Sequence, residues 1–171
     1  MIREVTGDIL LSKAHLIAHG VAPHDDFKSG LALSLREHFP GLYKDFRHWC
    51  KTHSPRPGEV WVWSGVGEAG RAMHIACLLT QEPSEREGGH PGRAKPSYVN
   101  KALHELRKTI EREHFESLAL PRLATGVGGL EWNDVRTLIV SALETLDVPI
   151  VVYTNFKKGV AASEPLPTAR A

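Results

Sequence analysis

The feature that most constrains the fold is the alternation of two hydrophobic patterns along the chain. Short segments rich in β-branched and aromatic residues predict strands at IREVTGDILL, AHLIAHGV, GEVWVWSG, RAMHIACLLT, SLALPRL and PIVVYTNF. Elsewhere, apolar residues recur at helical spacing over 31–49, 97–114 and 132–146, and Pro40 and Gly41 divide the first of these regions. This alternation predicts an α/β fold, namely a three-layer α/β/α sandwich with a mixed, mostly parallel central sheet.

Length and terminal composition predict one folded domain. The chain has 171 residues, which is enough for a full hydrophobic core. We expect the domain to span residues 1–156. The remaining segment, KKGVAASEPLPTARA at 157–171, has few residues that could pack and is expected to be weakly ordered.

Charge and cysteine usage narrow the class of protein. The 21 basic and 20 acidic residues leave a formal net charge of +1, which argues against a protein that tracks long nucleic acid. There is no signal peptide and no apolar run of about 18 residues, so we predict a cytoplasmic protein without membrane association and with reduced Cys50 and Cys77. We separately expect a monomer. No CxxC or HExxH spacing occurs and the ten histidines are scattered, so we predict no metal and no cofactor.

Unusual sequence follows several of the predicted strands. These segments are GD at 7–8, HGVAPHDDFKSG at 19–30, TQE at 80–82, ATGVGG at 124–129 and YTNF at 153–156. In sheets of this class, ligands bind beyond the carboxyl ends of the strands. We therefore expect these segments to converge on one ligand site.

The ATGVGG segment is the first candidate for direct ligand contact. Its glycines allow close approach of backbone to ligand, and the helix that begins near Trp132 offers free N–H groups to an anion. The spacing matches neither GxGxxG nor a Walker loop, so a dinucleotide or triphosphate site of the usual kind is not expected. Local pattern alone leaves open a phosphate loop or a plain turn.

The segment from residue 19 to residue 30 combines an imidazole, two adjacent carboxylates, an ammonium group and a glycine. Its carboxylates could activate water, or the segment could be a solvated connection in which Asp26 or Ser29 caps the next helix. On local chemistry alone, Asp8 is a turn or cap residue, and Tyr153 and Phe156 are core residues.

Taken together, GDIL, AHGVAPHDDFKSGLAL, KPSYVNKAL, LPRLATGVGGLEW and VVYTNF resemble a macrodomain, the ADP-ribose-binding α/β/α sandwich. The resemblance covers residues 2–156. It is closest to the subgroup of the terminal ADP-ribose protein glycohydrolase and of the macrodomain of a chromatin remodeller amplified in liver cancer. PRLATGVGGLEW carries the motif typical of that subgroup.

The resemblance implies a role for each segment. Asp8 and the Ile9 backbone would contact adenine, residues 24–30 would surround the distal ribose and one phosphate, and residues 125–129 would bind the diphosphate. Tyr153 and Phe156 would lie near adenine. The implied catalytic candidates are His24, Asp25 and Asp26. The implied ligand-binding set is Asp8, Ile9, His19, Gly20, Lys28, Ser29, Gly30, Gln81, Pro121, Leu123, Ala124, Thr125, Gly126, Val127, Gly128, Gly129, Tyr153, Asn155 and Phe156.

Two departures from the subgroup bear on chemistry. The glycohydrolase uses a lysine nucleophile where Gln81 stands here and an aspartate where Gly128 stands here. Glutamine cannot form an adduct as an amine does, and glycine cannot transfer a proton. Lys28 and Lys95 are the candidates for an amine that replaces that lysine in space.

Three functions therefore remain open. The first is a module that holds ADP-ribose or an ADP-ribosylated macromolecule without cleaving it. The second is a hydrolase that positions water with His24, Asp25 and Asp26. The third is an α/β domain for an unrelated nucleotide or protein. The long loop at 82–97 either helps to recognise the carrier of the ADP-ribose or is a tolerated insertion.

Overall fold

The computed structural model describes residues 1–67, 70–86 and 89–166. Its strands are β1 (Ile2–Gly7), β2 (Leu16–Val21), β3 (Val60–Val66), β4 (Ala72–Leu79), β5 (Leu118–Pro121) and β6 (Ile150–Phe156). They form a six-stranded sheet in the order β1-β6-β5-β2-β4-β3. Neighbouring strands are parallel from β1 through to β4, whereas β3 runs antiparallel to β4. The predicted mixed, mostly parallel sheet is confirmed.

The helices are α1 (Gly30–His38), α2 (Pro40–His53), α3 (Pro96–Glu113) and α4 (Trp132–Leu143), with a short 3-10 helix at Ile9–Leu11. Pro40 occupies the first turn of α2, where its missing N–H and fixed φ cost nothing. The predicted division of the 31–49 region into two helices is therefore confirmed. The last helix ends at Leu143, slightly earlier than its apolar pattern predicted.

The core lies on both faces of the sheet. In β4, Ala76 and Leu78 pack in the cluster that includes α3 and α4, whereas Ile75, Cys77 and Leu79 pack in the cluster that includes α1 and α2. Successive side chains of a strand point to opposite faces, which explains the continuous apolar run in this strand. The three-layer α/β/α sandwich is therefore confirmed.

Residues 157–166 contact the domain more than their composition led us to expect. The Asp8 N–H donates to Val160 O (2.7 Å), and the Lys157 N–H donates to Gly7 O (3.0 Å). The Glu164 carboxylate accepts from the Ser12 hydroxyl (2.6 Å), and Leu166 packs against the cluster beside β6. Residues 167–171 of the predicted weakly ordered tail lie outside the described residues.

The parallel arrangement places the carboxyl ends of β1, β6, β5, β2 and β4 at one edge of the sheet. Every segment that the sequence marked as unusual includes one of these five ends or comes shortly after it. Within the described ranges, no helix combines the length and apolarity needed to cross a bilayer.

Candidate functional site

The glycine loop (residues 124–129) connects β5 to α4 at this edge of the sheet. Two internal hydrogen bonds hold this loop, because Ala124 O accepts from Leu130 N (3.0 Å) and Gly126 O accepts from Gly129 N (3.1 Å). Among the described residues, none accepts a hydrogen bond from the backbone N–H groups of residues 125–128. Four consecutive unpaired donors that precede a helix N-terminus form a surface suited to an anion.

The strand end beneath this loop fixes its position. Pro121 ends β5, and the buried Leu123 side chain packs in the α3–α4 core. The Thr125 hydroxyl donates to Arg122 O (3.1 Å), and Val127 at the tip is 54% exposed. The loop is therefore anchored at its base, and its tip faces solvent.

Gly128 is enclosed on its side-chain face. A Cβ atom there would lie 2.6 Å from Ala124 O and 2.9 Å from the Ala94 Cβ atom, and neither neighbour can rotate away. The Gly128 carbonyl accepts from Ala94 N (3.1 Å). The backbone here has no room for the aspartate that the resembling glycohydrolase carries at this position. Gly126 differs, because nothing lies within 4 Å of the corresponding Cβ position.

Arg93 lies beside the glycine loop, and sequence reasoning missed it. Its guanidinium Nη2 lies 3.2 Å from the position of a Cβ on Gly129, whose φ is +76°. Backbone pairing of Gln81 with Ala94 holds this part of the long loop (residues 82–97) against the end of β4. The segment GRAKP lacks periodicity, so no sequence signal places its arginine here.

Asp8 follows β1 and is 6% exposed. Its Oδ1 accepts from Leu10 N (3.0 Å), which caps the short 3-10 helix, and its Oδ2 accepts from Gly159 N (3.0 Å). The expected cap role is therefore present. Since each carboxylate oxygen has two lone pairs, both oxygens retain capacity for another donor. Gly159 was not among the predicted site residues, because nothing local in the tail indicates its contact with Asp8.

Phe156 at the end of β6 is 66% exposed and lines a cavity of about 600 Å³ together with Asp8 and Leu10. Tyr153 is instead buried among Ile9 and Val151, and burial raises the pKa of its hydroxyl. The exposed Asn155 donates from Nδ2 to the Thr6 hydroxyl (3.4 Å). Of the two aromatic candidates, Phe156 is the one that presents its ring to a cavity.

Asp25 organises the acidic turn (residues 22–30) that leads from β2 to α1. Its Oδ2 accepts from Ala22 N (3.1 Å) and its Oδ1 from Phe27 N (2.9 Å), while Phe27 is fully buried. Burial raises the pKa of this carboxyl above its ordinary value. Both oxygens hold the turn together, so the structure favours a scaffolding role for Asp25.

The other polar side chains of the acidic turn differ in exposure, since His24 is exposed whereas the Asp26 side chain is 17% exposed. His24 has a φ of +58° and is exposed, and Asp26 pairs with Lys28 at 3.2 Å. Ser29 is the N-cap residue of α1, but its side chain makes no capping hydrogen bond, and Gly30 follows with a φ of +59°. The first turn of α1, which follows His24 and Asp26 along the chain, therefore keeps backbone N–H donors available.

His19 and Gly20 lie on β2, below this edge. The His19 ring is 1% exposed, its Nε2 lies 3.1 Å from the Cys77 Sγ, and burial lowers its pKa to about 4. A Cβ on Gly20 would lie 2.9 Å from the Thr80 hydroxyl oxygen. The structure therefore places the His19 side chain in the core, and a side chain at position 20 would require the Thr80 side chain to shift.

Gln81 is 6% exposed, and its Nε2 donates to Gly92 O (3.1 Å). This bond ties the end of β4 to the long loop. Lys95 pairs with Glu82 at 3.2 Å, and the Tyr98 hydroxyl donates to the same carboxylate, which lowers the pKa of Glu82. Neither Lys95 nor Lys28 is a free amine, because each has a carboxylate partner.

Known proteins resemble this chain in sequence and in fold. A sequence model of the Macro domain family matches residues 19–139. The DNA ADP-ribosyl glycohydrolase of Mycobacterium tuberculosis is 28% identical over 154 residues, which is 90% of this chain and 42% of that protein. The human ADP-ribose glycohydrolase OARD1 is 26% identical over 156 residues, covering 90% of this chain and 91% of the human protein. The chain thus spans about 42% of the length of the bacterial relative.

Two solved structures have a similar fold. The macrodomain of Thermus aquaticus DarG has a TM-score of 0.75 and 27% identity, with 90% of this chain and 98% of that chain covered. Thermosipho africanus DarTG in complex with ADP-ribose has a TM-score of 0.77 at 22% identity, with 92% and 42% covered. The second similarity concerns the fold alone.

Proposed function

Because this chain belongs to the macrodomain family, we propose that it binds ADP-ribose and terminal ADP-ribosyl groups at the carboxyl edge of its sheet. The observation that carries the proposal is the run of unpaired N–H groups at residues 125–128. The diphosphate occupies this run, and its charge is also favoured by the N-terminus of α4. A chain of net charge +1 can hold the ligand in this way without a generally basic surface.

Adenine occupies the other end of the cleft in this proposal. Asp8 accepts a hydrogen bond from the adenine amino group, the Ile9 backbone contacts the base, and the exposed Phe156 ring covers it. The distal ribose lies against the acidic turn. The proposed partner is therefore ADP-ribose, free or attached to a macromolecule, while the cytoplasmic location and the monomeric state stay sequence predictions.

Calorimetric titration tests the binding proposal. We expect a saturable heat with ADP-ribose and weaker heats with ADP and AMP, because the shorter ligands lose contacts at the distal ribose and then at one phosphate. No heat with ADP-ribose at near-millimolar protein would rule out the proposal. Equal heats from AMP and ADP-ribose would show that the glycine loop contributes nothing.

Hydrolysis of an ADP-ribosyl linkage is the second candidate function. It is favoured by the presence of an exposed His24 and of Asp26, whose side chain is 17% exposed, on the turn assigned to the distal ribose. In this reaction a carboxylate takes a proton from water and the water oxygen attacks the anomeric carbon. The bond from that carbon to the carrier breaks, and the carrier leaves with the bonding electrons and takes up a proton. Hydrolysis is also favoured by relatives of 26–29% identity that are named as glycohydrolases.

The geometry around Gln81 and Gly128 argues against the lysine–aspartate route of the resembling enzyme. Gln81 is committed to Gly92, and Gly128 has no space for a side chain. A substrate panel separates hydrolase from reader: protein modified on acidic, serine and arginine sites, ADP-ribosylated DNA, and O-acetyl-ADP-ribose. Release that is lost in Asp26→Ala supports the hydrolase. Binding without release from any substrate identifies a reader.

A further inference from the structure

Residues 157–166, which we call the strap, run from the end of β6 back over β1 and lie outside the helices and strands. At the near end of the strap, the Lys157 N–H donates to Gly7 O (3.0 Å). A Cβ atom on Gly7 would lie 2.9 Å from the Ala162 Cβ atom, so the glycine allows the strap to lie close against β1. At the far end, Leu166 packs in the buried cluster beside β6.

The Glu164 carboxylate fixes the far end of the strap with both of its oxygens. Oε2 accepts from the Ser12 hydroxyl (2.6 Å), and Oε1 accepts from the Lys13 N–H (2.8 Å). The Ser12 hydroxyl is buried and also accepts from Ala14 N (3.1 Å), so its proton is directed at Glu164. Hydrogen bonds to a carboxylate are roughly twice as strong as neutral ones. Glu164 is therefore the main polar anchor of the strap.

Between its two ends, the strap holds Asp8. The Asp8 N–H donates to Val160 O (2.7 Å), and the Gly159 N–H donates to Asp8 Oδ2 (3.0 Å). Gly159 has a φ of +75°, which glycine adopts without strain. The other carboxylate oxygen of Asp8 accepts from Leu10 N (3.0 Å). The plane of the carboxylate is therefore set by one donor from its own turn and by one donor from the strap.

The strap also forms one wall of the proposed adenine site. Lys158 and Gly159 line the cavity of about 600 Å³ that Asp8 and Phe156 line from the strand ends. Glu164 lies outside this lining, so its carboxylate can affect a bound base only through the residues that it holds in place.

We propose that Glu164 is a positioning residue for the purine base. By anchoring the strap, Glu164 keeps the Gly159 N–H on Asp8 and thereby keeps the Asp8 carboxylate turned toward the 6-amino group of the base. Without this anchor Gly159 leaves Oδ2, and the carboxylate rotates about its terminal torsion, which is broad for aspartate. A 6-oxo purine presents an acceptor to the carboxylate at this position and gains nothing from the orientation. The inference rests on the proposed function, because it takes adenine as the base.

The test compares calorimetric affinities for ADP-ribose and for its analogue in which hypoxanthine replaces adenine. We expect wild type to prefer ADP-ribose roughly tenfold or more, because the analogue loses a hydrogen bond to a charged group. Glu164→Ala should lower the affinity for ADP-ribose roughly fivefold, the value of one ordinary hydrogen bond, and leave the affinity for the analogue unchanged. Glu164→Gln keeps one acceptor oxygen and should restore part of the preference.

The matched control is Glu4→Ala, which removes a β1 carboxylate that pairs with Arg136 of α4 (3.1 Å) and should change neither affinity. Urea unfolding of each variant verifies that it is folded in the titration. Amide hydrogen exchange of Gly159 in the ligand-free protein is a second measurement, independent of ADP-ribose. This exchange should be faster in Glu164→Ala than in wild type, because the strap opens more often.

The outcomes separate this inference from the proposed function. Equal losses of affinity for both ligands in Glu164→Ala would assign the strap a purely structural role and overturn the positioning role. A preference for ADP-ribose that is unchanged in this variant, or Gly159 exchange equal to that of wild type, would overturn it as well. Wild type that binds neither ligand, together with faster Gly159 exchange in Glu164→Ala, would refute the proposed function and support the control of Asp8 by Glu164.

Discussion

Replacing Gly128 with alanine separates the structural role of the glycine loop from its ligand role. The new methyl group would lie 2.6 Å from Ala124 O, 3.0 Å from the Ala124 carbonyl carbon and 2.9 Å from the Ala94 Cβ atom. Two of these neighbours are backbone atoms and the third is a methyl group without a rotamer to change. The glycine loop must therefore move away from the part of the long loop that carries Ala94, which also strains the hydrogen bond between Ala94 N and Gly128 O.

The magnitude follows from these contacts. Overpacking of a fixed site costs about 1–3 kcal/mol, and weakening one backbone hydrogen bond costs about 1 kcal/mol. The lower entropy of the unfolded alanine chain offsets about 0.4–1 kcal/mol. We expect Gly128→Ala to lower the free energy of unfolding by about 2 kcal/mol, which corresponds to about 4–8 °C in Tm for a chain of this size.

Gly126→Ala is the matched control in the same loop. Its methyl group meets nothing within 4 Å, and its φ is not in the positive region, so the free energy of unfolding should stay within about 1 kcal/mol of wild type. The methyl group nevertheless occupies space at the proposed diphosphate site. Loss of one hydrogen bond to a charged group is worth about 1.5–3 kcal/mol, so affinity for ADP-ribose should fall roughly tenfold or more.

Urea unfolding and ADP-ribose calorimetry on the two variants check this reasoning. The expected pattern is lost stability in Gly128→Ala and lost affinity with normal stability in Gly126→Ala. Wild-type stability in Gly128→Ala would refute the packing argument. Wild-type affinity in Gly126→Ala would show that the ligand does not contact this part of the loop.

Four further variants test other parts of the structure. Asp8→Ala leaves two N–H groups without their acceptor, so urea unfolding should show a loss of about 2 kcal/mol and calorimetry a weaker ADP-ribose affinity; unchanged values would contradict both roles. Asp25→Ala should lower the free energy of unfolding by about 2 kcal/mol, because two backbone N–H groups lose their acceptor. Asp26→Ala should lower it by less than about 1 kcal/mol, because its ion pair is partly exposed. The reverse order of the two losses would refute the scaffolding role of Asp25. Burial lowers the pKa of His19 from 6.5 to about 4, so its contribution to stability is complete above pH 6.5 and falls by about 3 kcal/mol as the pH drops to 4. His19→Gln should remove this loss of stability in acid, measured as urea midpoints between about pH 7 and about pH 4.5. An equal loss in the variant and in wild type would contradict the expectation.

The sequence predicted the layers and the glycine loop because both depend on local patterns. Hydrophobic spacing determines which face of an element is buried, and Pro40 marks a helix boundary through its own covalent geometry. The convergence of strand ends follows from parallel pairing, once the alternation of strands and helices is recognised. These features need no knowledge of contacts between distant residues.

The features that the sequence did not predict arise from long-range contacts. Gly159 reaches Asp8 across 151 positions, and Arg93 reaches Gly129 through a loop without periodicity. His19 and Tyr153 belong to motifs that suggest ligand contact, yet β-strand alternation turns both side chains inward. Asp25 looks like a free carboxylate in sequence, but its two acceptor bonds appear only when the turn is folded.

The central claim is that backbone N–H groups of the glycine loop hold the diphosphate of ADP-ribose. Amide NMR titration of 15N-labelled protein tests it directly, because each donor reports its own hydrogen bond. We predict that ADP-ribose produces the largest changes in amide chemical shift at residues 125–128, with smaller changes near Asp8. AMP should leave the chemical shifts of most loop amides unchanged. Saturating ADP-ribose that leaves the amides of residues 125–128 unshifted would contradict the account.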